Sequence, residues 1–218
     1  MATIQEILDY VNRKYPNQET TANKVLDLDM IHKDVYMKVR KLSNEYLSYE
    51  DVTVANQTFY NFPNQNENNE VRIEDVVRID VETGVASDQY DTFEYAGVKD
   101  EILDRQVYMR SENGTYALFD DEEPIADGGK RIMLYYYPRP DDLLSSVLTA
   151  VPELDVDYHT ILKYLLIVEL ANQGHNPDTE IADYWQKKAD EYMVQITRAL
   201  AERQANARTK TNECDEHW

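Results

Sequence analysis

Ile161, Leu162, Leu165, Leu166, Ile167, Val168, Leu170 and Ala171 follow one another so closely that, wound as a helix, they leave almost no polar side. A helix that is apolar nearly all round has to be enclosed by other elements. The segment after Pro152 is therefore expected to be the hub of the fold, and the rest of the chain must supply helices around it. Thr3 followed by Glu6 reads as a capping box, and Ile4, Ile7, Leu8, Val11 and Tyr15 recur at helical spacing, giving a first helix that ends before Pro16. Past the polar link Asn17–Thr20, a longer helix carries Val25, Leu28, Ile31, Val35, Val39, Leu42 and Tyr46. These two helices are expected to pack as a hairpin.

From about Glu50 the period changes to two. Short runs rich in valine, tyrosine and threonine take over, as in Val52-Thr53-Val54 and Val71-Arg72-Ile73. Gln65–Asn69 reads as a polar loop, Thr83-Gly84 as a turn, and Asn113-Gly114 as the tip of a hairpin. Ile132–Tyr137 reads as a strand stopped by Pro138 and Pro140. The helical period then returns in the hub segment, with Gly174 as its C-cap, and again after Asn176-Pro177, where Asp178 and Glu180 suit a helix start. That last helix places Ile181, Trp185, Ala189, Tyr192, Ile196 and Leu200 on one face, and its period weakens past Ala201. The expected fold class is α+β: a helical bundle body with an inserted antiparallel β-domain, a sandwich or flattened barrel, and an extended C-terminal arm. The expected divisions are 1–49 for the helical hairpin, 50–140 for the β-domain, 141–203 for the helices that complete the body, and 204–218 for the arm.

At 218 residues the chain can bury a core without metals or disulfides. Its 22 basic and 42 acidic residues give a formal charge of -20, a field that repels phosphate. Residues 51–104 hold 13 acidic against 3 basic side chains, about half of that excess. Arg198, Arg203, Arg208 and Lys210 form a basic cluster near the C-terminus, but the interleaved aromatics of a nucleic-acid interface are missing. Direct DNA binding is disfavoured. The single cysteine, Cys214, fits a reducing compartment, and neither a secretory leader nor a membrane span is expected.

Candidate chemistry fails residue by residue. His32, His159, His175 and His217 are scattered; His159, beside Asp155 and Asp157, reads as a packed residue at a helix start more readily than as a base. No serine sits in a nucleophile elbow. Cys214 and His217 make half of a zinc site, and Asp120–Glu123 lacks the spacing of a calcium loop. Gly128-Gly129-Lys130 is a turn into the next strand and lacks the elements of a phosphate loop. No catalytic residue, metal or cofactor is therefore expected. Tyr135, Tyr136 and Tyr137 must alternate across a strand, which places part of the run in the core and leaves an outward ring for an interface.

Three strings, taken in order, carry a resemblance. They are Thr3–Asp9, the β-stretch ending in Leu134-Tyr135-Tyr136-Tyr137-Pro138-Arg139-Pro140, and Pro152-Glu153-Leu154-Asp155-Val156-Asp157-Tyr158-His159 leading into the apolar helix. In these and in element order the chain resembles the head-to-tail adaptor, or connector, proteins of tailed bacteriophages. The resemblance implies a structural, non-enzymatic virion protein made in the host cytoplasm. It implies a homo-oligomeric ring, usually of twelve subunits, between the portal protein and tail or nozzle proteins, with double-stranded DNA passing through unbound. It also implies a C-terminal arm that reaches the portal, here the segment with Arg198, Arg203, Arg208, Lys210 and the apolar anchor Trp218. Trp185, Tyr192 and Ile196 on the last helix are the expected subunit interface. The β-domain departs from the smallest members of that family. By analogy it holds neighbouring subunits together or receives the tail. The alternatives are a tail-completion or terminator ring, separated by its binding partner, a free binding module, separated by indifference to portal, and a glycan-acting enzyme, separated by turnover that a carboxylate substitution abolishes.

Overall fold

A computed structural model describes residues 2–66, 69–70, 75–96, 107–110, 115–120, 123–125, 127–173 and 177–215. The expected hairpin tip at Asn113-Gly114 and the expected cap Gly174 lie outside them. The fold is α+β, and the chain divides into two compact units, residues 1–44 with 140–218 and residues 45–139.

In the helical unit, α1 (Ile4–Lys14) starts with the capping box: the Glu6 amide donates to the Thr3 hydroxyl, and the Thr3 amide donates to the Glu6 carboxylate. Its buried face is Ile4, Ile7, Leu8 and Val11. Helix α2 (Thr21–Ser43) stops at Asn44, whose left-handed backbone (φ 56°) lets its amide bond the carbonyls of Arg40 and Lys41. Tyr46, expected on this helix, lies beyond that stop and sets its ring edge-on against Tyr135. A 3-10 turn, Val156–Tyr158, leads into α3 (His159–Asn172), and α4 runs from Thr179 to Asp215, its first turn capped by Asp178. Helix α3 is enclosed over most of its surface: Ile161, Leu162, Leu166, Ile167 and Leu170 are buried in one cluster with the inner faces of α1, α2 and α4, Ala171 is buried too, and Leu165 and Val168 are half-buried.

The approach to α3 is tied down by polar groups. Asp29 accepts from the Leu143 amide (2.8 Å), and Lys33 bridges Asp29 (2.7 Å) and Asp142. Burial opposes the Lys33 charge, but hydrogen bonds to Asp142 and Asp29 outweigh it and raise its affinity for the proton. Ile4 and Gln5 donate their amides to the carbonyls of Ala150 and Leu148, so residues 142–150 fasten α1 and α2 to the start of the hub.

The second unit is a sheet in the order β1 (Leu47–Val52), β10 (Arg131–Tyr136), β5 (Val76–Glu82), β6 (Tyr90–Tyr95), β7 (Val107–Arg110), β8 (Thr115–Asp120), β2 (Phe59–Asn61), with β9 (Glu123–Pro124) beside β8. Alternation is plain in β10, where Ile132, Leu134 and Tyr136 are buried and Met133 and Tyr135 half-buried. They join Ile79, Val81, Phe93, Leu118, Tyr60 and Tyr116 in a separate core. One described pairing departs from the antiparallel expectation: Glu94 and Tyr95 of β6 run parallel to Val107 and Tyr108 of β7. Parallel neighbours cannot be joined by a tight turn, and no local signal in either strand declares the crossover. The stretch expected as a polar loop forms β3 (Asn64–Asn66), which pairs with β4 (Asn69–Glu70), because the ladder uses backbone groups whatever the side chains.

The Gly128-Gly129 turn behaves as expected. Thr53 and Lys130 exchange backbone and hydroxyl hydrogen bonds across it, and Gly129 adopts a φ of +89°. A Cβ on Gly128 would stand 2.7 Å from the Ala55 nitrogen, so the approach of the two loops requires glycine there. At the end of the unit Arg139 pairs with Asp75, which is 2% exposed and whose carbonyl accepts from the Tyr137 amide. The exit from the β unit is thereby fixed to the start of β5.

Candidate assembly surfaces

Helix α4 is packed into its unit along its first part. As far as Leu200 it contributes Ala182, Ala189, Ile196 and Leu200 to the buried set. Gln204 then donates its side-chain amide to the Leu42 carbonyl (2.7 Å), satisfying an acceptor at the end of α2 that the helix itself leaves open. From there the backbone stays helical to Asp215, about 16 Å further at 1.5 Å per residue. The segment expected as an extended arm is thus helical through Asp215. Its composition explains this: Ala201, Glu202, Arg203, Gln204, Ala205, Ala207 and Arg208 are strong helix formers and no glycine or proline intervenes. Arg198 and Arg203 are exposed; Arg208 and Lys210 lie on the helical backbone, and Trp218 lies outside the described residues.

Of the three residues expected at a subunit interface, Ile196 is 4% exposed and packs inside its own unit. Trp185 is half-buried, with its ring 5.1 Å from that of Tyr164 and 5.3 Å from that of Tyr184. Tyr192 meets Tyr164 edge-on at 6.3 Å and donates its hydroxyl to the Asp157 carbonyl, which locks α4 to the turn before α3. The outward apolar residues of this helix are others, Tyr184 and Val194, at 57% and 49% exposure. Leu26 and Met30, one turn apart on α2, are as bare, at 64% and 59%. Neighbouring pairs hold the sequence signal: Tyr184-Trp185 and Val25-Leu26 each place two large apolar residues where a single stripe accommodates one.

The titratable groups serve packing. His159 accepts the Ala2 amide at Nδ1 (3.2 Å) and donates from Nε2 to the Leu154 carbonyl (2.8 Å), which occupies both ring nitrogens with backbone. His32 is wholly buried, and neither of its ring nitrogens has a hydrogen-bond partner among the described residues. Burial and the neighbouring Asp141 push the Glu153 carboxyl above the usual carboxylate range. A shallow groove beside α1 holds Glu6, Asp9, Tyr10, Arg13 and Lys163. There Glu6 is engaged by the helix cap, Asp9 accepts from Gln5, and Lys163 stands 5.3 Å over the Tyr10 ring. Among the described residues no three His, Cys, Asp or Glu side chains converge as a metal site, and no helix is long and apolar enough to cross a membrane.

The arrangement therefore offers exposed apolar surfaces and a long C-terminal helix, and the comparison with known proteins agrees. No curated protein matches the chain significantly. The family model described as SU10 adaptor protein matches residues 2–212, which includes both compact units and nearly all of α4. That family is one of structural phage adaptors, and the match runs from before the α1 cap to within the last turns of α4. The chain belongs to the SU10 adaptor protein family.

Proposed function

We propose that this protein forms a ring beneath the portal of a tailed phage, joins head to tail, and lets DNA pass without gripping it. The observation that carries the reading is the family match over residues 2–212, together with a helix whose backbone continues from the buried Leu200 to Asp215, toward a basic and then acidic end. A helix that leaves its own core is marginal alone and is stabilised by whatever it docks against. In this reading residues 204–218 form the portal-contacting arm, with Arg198 and Arg203 at its base, Arg208 and Lys210 along it and Trp218 as its terminal anchor. Ring closure needs two different faces that meet heterologously, and contacts repeated around the ring make weak surfaces adequate. Trp185, Tyr192 and the bare Tyr184 and Val194 on α4 supply one such face, with Ile196 holding the helix from within. A charge of -20 disfavours adhesion to the phosphates that pass.

Deleting residues 204–218 tests the reading. The full chain is expected to co-purify with the phage's portal protein, and the shortened chain to lose that binding while still melting cooperatively, because Ala182, Ala189, Ile196 and Leu200, the buried residues of α4 among the described side chains, lie before the cut. Undiminished portal binding by the shortened chain would remove the arm from the account. Capture of the full chain by tail-tube protein and not by portal would replace an adaptor with a tail-completion ring.

A further inference from the structure

The sheet of the β unit has a bare edge at β1. This strand pairs with β10 on one side and, among the described residues, with no strand on the other. Its backbone orientation follows from Thr53, whose amide donates to the Lys130 carbonyl. Alternation from there turns the peptide groups of Ser48, Glu50 and Val52 to the outer edge. The Val52 amide is taken by the Asp51 carboxylate (2.8 Å), which leaves the amides and carbonyls of Ser48 and Glu50 as an open ladder among the described residues.

The charges this edge carries, Glu50 and Asp51, are both acidic, so they oppose pairing with a like strand and leave it open to a basic one. No lysine or proline stands in Leu47–Val52. The register sets Leu47 opposite Tyr136 and Tyr49 opposite Leu134, so both lie on the core face of the sheet. Their partners are buried, yet Leu47 is 51% and Tyr49 37% exposed. Among the described residues the apolar face therefore continues one strand further than what covers it. Ser48 and Glu50 occupy the opposite face, beside Tyr135 and Met133 of β10.

Charge decides what fits. From Leu42 to Val71 the chain has five acidic residues and no basic one. Two copies pairing through β1 would bring Glu50 and Asp51 toward like charges, which is destabilising. We infer that β1 is a docking edge for an extended segment of another protein in which basic and apolar residues alternate. Its backbone would extend the ladder at Ser48 and Glu50, its apolar side chains would cover Leu47 and Tyr49, and its cations would lie beside Glu50. The inference rests on the sheet alone and does not require the portal.

A synthetic octapeptide of alternating lysine and valine is the probe, added to the full chain, with amide hydrogen exchange read at Ser48 and Glu50. Binding that slows exchange at these two amides is expected. Glu50→Lys, at an exposed position, is expected to weaken binding about tenfold, as is methylation of alternate peptide nitrogens, which removes ladder donors without changing charge. Binding that leaves the two amides unprotected, or that tolerates the methylated peptide, would overturn the inference by showing attraction to acid alone. Absence of binding would overturn it as well. Protection that appears without peptide and grows with protein concentration would assign the edge to a second copy instead.

Discussion

Leu166→Ala is expected to lower the unfolding free energy of the helical unit by about 3 kcal/mol, the typical loss when a fully buried leucine is truncated. Leu166 is 0% exposed and belongs to the helix that the other three surround. The cavity would open where α1, α2 and α4 all depend on α3, leaving little freedom to collapse. Trp185 belongs to this unit and residues 45–139 contain no tryptophan, so denaturation followed by tryptophan fluorescence reports it without interference from the β unit. Tyr184→Ala, at an exposed position on α4, is the control and is expected to change stability by no more than about 0.5 kcal/mol. Equal effects of the two substitutions would show that α3 is not the hub.

A second large effect is expected on acidification. Burial pushes the His32 imidazole down to about 4, and the nearby Asp29 only partly opposes this. In the unfolded chain the ring titrates near its ordinary value of about 6.5. Between those values the unfolded chain takes up a proton that the folded chain refuses. The stability due to neutral His32 is therefore fully present above about pH 6.5 and is lost as the pH falls through about 4. The full loss amounts to about 3 kcal/mol. The groups facing the ring are Asp29 and Lys33 on its own helix and His159 across from it, with the Tyr36 ring at 6.1 Å. His32→Leu removes the titration together with two buried nitrogens that lack partners. The variant is expected to match or exceed the parent at pH 7 and to exceed it clearly at pH 5, in melts of the two proteins side by side. Parallel pH profiles would mean that another group controls the acid limb.

Much of the helical unit could be read from residues close in sequence. Thr3 and Glu6 form the cap their spacing implies, and most of the apolar run from Ile161 to Ala171 is enclosed because a polar environment has nothing to offer it. The stop at Asn44 was hidden because the apolar recurrence carries on to Tyr46, and only the left-handed turn at Asn44 ends it. The parallel step from β6 to β7 was hidden for another reason: partner choice in a sheet is set by crossover geometry, which leaves no local period. For the candidate surfaces, periodicity identified the α4 face that packs inward, and so pointed to Ile196, which the unit's own core uses. Tyr184, Val194, Leu26 and Met30 belong to the surfaces a partner can reach, and their exposure depends on which face of each helix the fold buries. The tie from Gln204 to the Leu42 carbonyl spans 162 residues, and nothing near either end in sequence announces it.

If the chain acts by shape and repetition about an axis, mixing it with its portal must yield a closed assembly. Native mass spectrometry of that mixture measures this directly. The expected result is one dominant species in which each portal carries a fixed set of several copies of the chain, equal in number from one particle to the next. A chain that stays at the mass of a single copy beside an unchanged portal would contradict the adaptor ring.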